Sequence, residues 1–240
     1  MTIDELTLAD EPERWRALGF ALDGDDGVLL GTIRVRLAGD GARTGTAPGF
    51  LGWSLRGLRS TELDGLPTTV SQGAPVEPAA SVEQSAAVEQ GAQDERSAPR
   101  EPAAPHPNGV VAIDHVVAMT PALERTVAAL QAAGLDLRRI RDEPTPAGAP
   151  RQAFFRLGEA IVEVVQEPLE LVAQGGGAER PARLWGLALL APDFDRTVGA
   201  LGDSAGEPRD AVQPGRRIVT VRRSAGLAVP VAVMSPRAAP

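Results

Sequence analysis

Two side chains in this sequence could do chemistry together: His115 in the run IDHVVAMT and Glu163 in the run AIVEVVQ. Strand alternation predicts Ile113, His115, Val117 and Met119 on one face, and likewise Ile161, Glu163 and Val165 on one face of another strand. A carboxylate set among aliphatic residues is costly to bury unless it is paired, hydrogen-bonded or metal-bound. The two groups could therefore satisfy each other, or hold one cation between an imidazole nitrogen and a carboxylate oxygen. Two pairs at strand starts, Arg151–Gln152 and Arg216–Arg217, offer donors for a substrate carboxylate or phosphate, although strand ends also carry ordinary surface ion pairs. Other chemistries are missing. With no Cys there are no thiolate ligands, disulfides or cysteine nucleophile, and with all 24 basic residues Arg there is no Schiff-base lysine. The Gly-rich runs GDGART and QGGGAER lack the strand-to-helix context of a phosphate loop, and no nucleophile elbow is present.

The elements that must position these groups follow from pattern. GVVAIDHVVAMT (109–120) reads as a buried strand. A helix follows, with Thr120 as N-cap, Pro121 in the first turn, Leu123, Val127 and Leu130 as its apolar stripe, and Gly134 as its stop. Strands are predicted at 135–141, 151–157 and 160–166, completing a βαβββ module over 109–170. A second copy over 183–237 has strands at 183–193, 216–223 and 229–236, and a helix carrying Phe194, Val198 and Leu201 at an offset of 71 from the first stripe. Residues 1–70 read as a degenerate third copy, with Ile3-Asp4-Glu5 falling on Ile113-Asp114-His115. GVLLGTIRVRLAG and GFLGWSLRGL supply its later strands, the second of them as the last. Asp10 and Asp193 are expected to cap helices, and Trp53 and Trp185 to lie in the core.

Residues 71–108, rich in Ala, Pro, Glu, Gln and Ser, contain no Leu, Ile or aromatic residue. Such a segment cannot bury enough apolar area to offset its ordering entropy, so a flexible linker is predicted, and His106 within it is assigned no function. The composition, 43% hydrophobic and 23% charged with a net charge of -8, is that of a globular protein and disfavours a nucleic-acid or anionic-membrane surface. No run approaches the roughly 20 apolar residues of a membrane helix, and no signal peptide opens the chain. A cytoplasmic protein, from a bacterial genome whose bias favours Arg, Ala, Gly and Pro, is expected.

The runs IDHVVAMTPALERTVAALQAAGLDL, RQAFFRLGEAIVEVV and WGLALLAPDFDRTVGAL resemble the vicinal oxygen chelate superfamily, which comprises glyoxalases, bleomycin-resistance proteins and extradiol dioxygenases. The pattern is most similar to glyoxalase-like domains. The resemblance implies an α+β fold in which repeated βαβββ modules form curled mixed sheets around a cavity. It also implies a divalent metal (Zn, Ni, Mn, Fe or Co) held by a His or Glu on the first strand and a Glu on the last strand of each module. His115 and Glu163 match these positions. The module over 183–237 offers Gly186 and either Val231 or Ala232, so it lacks its half; Glu5 could supply a third ligand if the module over 1–70 pairs with that over 109–170.

Three functions follow. One is a metal-dependent lyase, isomerase or dioxygenase acting on a small molecule. The second is a metal-free small-molecule-binding or drug-sequestering protein, which the bare module over 183–237 favours. The third is a structural role in which the N-terminal module, its apolar face unpaired, drives homodimerisation.

Overall fold

Thirteen strands and four α-helices are described in the computed structural model, which covers residues 1–43, 49–71, 106–144, 148 and 150–237. The stretch 72–105, nearly all of the expected linker, lies outside the described residues. The C-terminal elements fall close to their predicted places. They are β6 (Ala112–Thr120), α2 (Leu123–Ala132), β7 (Asp136–Arg141), β8 (Gln152–Leu157), β9 (Ala160–Gln166), a short α3 (Leu169–Gln174), β10 (Arg183–Leu190), α4 (Phe194–Leu201), β11 (Arg209–Asp210), β12 (Arg217–Thr220) and β13 (Val231–Met234). They form one eight-stranded sheet in the order β11-β12-β13-β10-β6-β9-β8-β7. In each module the first and last strands run parallel, β6 with β9 and β10 with β13, and the two modules join through the antiparallel pair β6–β10.

The apolar stripe forms α2 as its spacing requires. Leu123, Thr126, Val127 and Leu130 are buried, each aliphatic side chain contributing about 1.5–3 kcal/mol on leaving water. Its N-cap is Ala122 rather than Thr120, whose hydroxyl accepts from the Ala122 amide and pairs with Thr126. Asp193 caps α4 as expected, accepting from the Arg196 amide. Asp10 does not cap α1 (Pro12–Ala17). Fully buried, it accepts from the Trp15 indole and from the Ala228 amide, 218 residues away. Burial pushes its carboxyl up, and the two hydrogen bonds oppose that shift.

The N-terminal residues depart from the single module expected of them. β1 (Thr2–Leu8), β2 (Gly27–Leu30), β3 (Ile33–Leu37), β4 (Phe50–Arg56) and β5 (Thr68–Val70) form a second sheet in the order β2-β3-β1-β4-β5. The last strand of the first module, the one parallel to β1, is β3; β4 is antiparallel to β1 and parallel to β5. β4 thus stands to β1 as β10 stands to β6. The registers agree: Leu6 faces Trp53 and Thr7 faces Gly52, as Val116 faces Leu187 and Val117 faces Gly186. Trp53 donates its amide to the Pro67 carbonyl at 3.0 Å, and Leu187 donates to that of Pro230 at 3.0 Å. The described residues therefore carry four half-modules, the second of them reduced to its first and last strands.

Both sheets share one core, which includes Leu6, Trp15 and Trp53 from the first and Val116, Phe155 and Leu187 from the second. The apolar face that would have recruited a partner is thus covered within the chain. His106, expected in the linker, is 5% exposed; its Nδ1 accepts from the Ala21 amide and its Nε2 meets the Leu29 carbonyl, with Phe20 edge-on at 5.3 Å. Burial pushes this imidazole down, toward its neutral form. No described helix is long and apolar enough to cross a membrane.

Asp64 ties the N-terminal segment to α2. It sits in the left-handed region at φ 53°, accepts from Arg125 Nε at 2.7 Å, and accepts from the Thr126 hydroxyl. The Asp64 side chain is 9% exposed and that of Arg125 35%, so losing this half-buried pair at a position where Ala is also strained costs about 1–3 kcal/mol. Asp64→Ala is expected to lower the urea midpoint accordingly, and Asp64→Asn, which tolerates this backbone, to lower it less.

Candidate functional site

The eight-stranded sheet curls so that its two edges face each other. β7 and the segment around β11 flank a cavity of about 820 Å³, which holds Arg139, Arg141, Arg209, Gln152, Phe154 and Glu163 among its lining. A second cavity of about 430 Å³ lies at the other side of His115, near Asp114, Arg156 and Arg216. His115, Phe154 and Gln213 line both, so His115 stands where the two lobes meet.

A β-bulge sets the polar cluster. The ladder pairs His115 with Ala188 and Ile113 with Leu189, leaving Asp114 as the extra residue. Two consecutive side chains, Asp114 and His115, thereby meet the same trough. The bulge also corrects the alternation expected from sequence: Ile113 belongs to the main core with Val116, whereas Val117 packs with Val165 and Met119 in a separate cluster on the trough side. On β9, Val162 and Val164 enter the main core, which leaves Glu163 on the trough side beside Val165.

The cluster is a chain of contacts across three strands. Arg216, immediately before β12 and 3% exposed at its side chain, donates Nη2 to Asp114 Oδ1 at 2.6 Å and Nε to the Ser235 carbonyl at 2.8 Å. Asp114 Oδ2 lies 2.8 Å from His115 Nδ1, and His115 Nε2 lies 3.3 Å from Glu163 Oε2. Burial alone would raise the Asp114 carboxyl, but the hydrogen bonds from His115 and Arg216 outweigh it and hold the group at about 2. Asp114 is therefore an ionised acceptor that fixes the proton on Nδ1 and turns Nε2 toward Glu163. Burial pushes the Glu163 carboxyl up, with His115 and Arg141 pulling the other way.

The other expected site residues are scattered. Arg151 is turned to Asp142 and Glu124, and Arg217 to Asp195 and the Phe194 ring, both outside the two cavities. Gln152, 5% exposed, lines the larger lobe. Glu5 lies on the other sheet, 3.3 Å from Arg36 and 3.7 Å from Arg34. Register explains this. Thr7 stands opposite Arg36 on β1–β3 as Val117 stands opposite Glu163 on β6–β9, so the His–Glu pair of one sheet is a Glu–Arg pair in the other. Asp114 is the member of this cluster that sequence reading missed; its signal is the shared Ile-Asp step before Glu5 and His115.

The donor set does not fit the metal shell implied by the resemblance. Gly186 and Ala232 occupy the two remaining ligand positions by register, and neither offers a donor. A Cβ at Gly186 would meet the Pro230 carbonyl oxygen at 2.7 Å, so a His cannot be built there without moving backbone. Glu5 is not added, and no described group of three or more His, Asp or Glu side chains could hold an ion.

No family model matches the chain, and no curated protein does. Solved structures match. A xylose isomerase-like TIM barrel/4-hydroxyphenylpyruvate dioxygenase fusion protein aligns over 100% of this chain and 49% of its own, with a TM-score of 0.57 at 13% identity. This chain thus spans about half of that protein's length. Methylmalonyl-CoA epimerase from Mycobacterium tuberculosis aligns over 55% of this chain and 91% of its own, with a TM-score of 0.43 at 18% identity. A hypothetical protein from Bacillus halodurans C-125 aligns over 53% and 96%, with a TM-score of 0.42 at 14% identity. With paired βαβββ modules, parallel first and last strands and a curled mixed sheet, the chain has the vicinal oxygen chelate fold.

Proposed function

We propose that the protein binds a small molecule in the trough of its eight-stranded sheet, without a metal, and that His115 and Glu163 make the polar contact with it. The observation that carries this reading is the placement of His115. It stands between two lobes of a ligand-sized trough, oriented from behind by Asp114 and Arg216, with its Nε2 side facing the part-buried Glu163. Part-buried polar groups at the floor of a pocket set the orientation of a ligand rather than its bulk affinity, and the larger lobe adds Arg139, Arg141 and Arg209 at its walls. The bare positions Gly186 and Ala232 favour a metal-free site over a chelating one.

The experiment is a small-molecule library screen by thermal shift, followed by titration of a hit with and without EDTA, on protein purified without chelator. Binding is expected to be unchanged by EDTA and to weaken about tenfold in His115→Ala, the loss of one good hydrogen bond at a desolvated site. Stoichiometric metal that is retained by the native protein and lost in His115→Ala would overturn the reading.

A further inference from the structure

The β6–β10 pairing has a second bulge, and it presents a tryptophan. On β10 the ladder pairs Leu184 with Ala118 and Gly186 with Val117, leaving Trp185 as the extra residue. About the central pair Val116–Leu187, Trp185–Gly186 is the symmetry mate of Asp114–His115. Leu184 and Leu187 on either side belong to the main core, so register places the bulged pair on the sheet face that carries Asp114 and His115, beyond the residues that line the two cavities. Trp185 is 39% exposed, whereas Trp15 and Trp53 are 0% and 2% exposed. The expectation that Trp185 lies in the core is thereby corrected for this residue and holds for Trp53. Gly186 beside it adds no side chain, and the opposing strands contribute the apolar cluster of Val117, Val165 and Met119.

We propose that Trp185 is an aromatic platform at the end of the trough opposite Asp114, against which a planar ring of the bound small molecule stacks. An exposed indole on a concave sheet offers a large flat apolar face at little conformational cost, and offset stacking is its preferred contact. The ligand class is then a molecule with a planar aromatic or conjugated body long enough to reach from the His115–Glu163 pair toward Trp185. This inference rests on the trough being the small-molecule site.

The test uses anilinonaphthalene sulfonate, a planar aromatic probe, on the full chain. Three isotherms are compared, for the native protein, Trp185→Ala and Trp185→Phe. Because Trp185 supplies the solvent-accessible tryptophan emission, bound probe is expected to shield that emission from acrylamide. Trp185→Ala is expected to weaken probe binding about tenfold and Trp185→Phe to keep it within about threefold. Equal affinity in Trp185→Ala, or no shielding in the native protein, would overturn the platform. A library hit that depends on His115 but not on Trp185 would remove the platform and leave the trough reading intact. A chain in which neither substitution changes any binding would remove both.

Discussion

Arg216→Leu is expected to be among the most destabilising single substitutions in the eight-stranded sheet, at about 3–5 kcal/mol by urea denaturation at neutral pH. The guanidinium is nearly inaccessible and holds both oxygens of Asp114, so its removal leaves a largely desolvated carboxylate, 16% exposed, with only His115 as partner. The double substitution Arg216→Leu with Asp114→Asn is expected to recover much of the loss, because no uncompensated charge remains. The pH dependence supplies the sign. Asp114 is held at about 2 against its ordinary 3.8, so in the native protein its contribution, roughly 2 kcal/mol, is fully present above about pH 4 and is lost as the pH falls toward 2. The gap in stability between native protein and Arg216→Leu is therefore expected to narrow across that window. A gap that is absent at neutral pH, or that widens on acidification, would contradict the role given to the pair.

Gly186→Ala is expected to cost about 1–3 kcal/mol, the range for forcing extra atoms into a packed position. The added Cβ would sit 2.7 Å from the Pro230 carbonyl oxygen, which also accepts the Leu187 amide at 3.0 Å. The contact is with backbone, so no side chain can swing aside. Gly199→Ala, inside α4 with open space around its Cβ, is the matched control and is expected to stabilise by up to about 1 kcal/mol. Thermal or urea unfolding of the two variants separates steric closure at β10 from a generic glycine effect. The outcome bears on chemistry as well. If Gly186 accepts a side chain without loss, the missing metal ligand is a simple substitution; if it does not, the backbone itself has closed over that position.

The periodicities of this sequence determined the C-terminal half to within a few residues. Strand alternation, the stripe Leu123, Val127 and Leu130, and its echo at Phe194, Val198 and Leu201 are local signals, written in consecutive residues and read without knowing what they touch. His115 and Glu163 were legible for the same reason, as polar residues interrupting apolar strands. What tertiary structure decided depends on register, which no local pattern carries. The bulges at Asp114 and Trp185 appear only when β6 is laid against β10, and they turn one residue of each strand onto the trough face. Asp114 thereby becomes the orienting group of His115, and Trp185 leaves the core. The same dependence hid the fourth half-module: β4 reads like the end of the first module until its antiparallel pairing with β1 makes it the start of another. Glu5 aligned correctly with His115 in sequence, yet pairing placed it on the other sheet with Arg36. Equivalence along a chain is a matter of pattern, whereas sharing a site requires that the strands be neighbours.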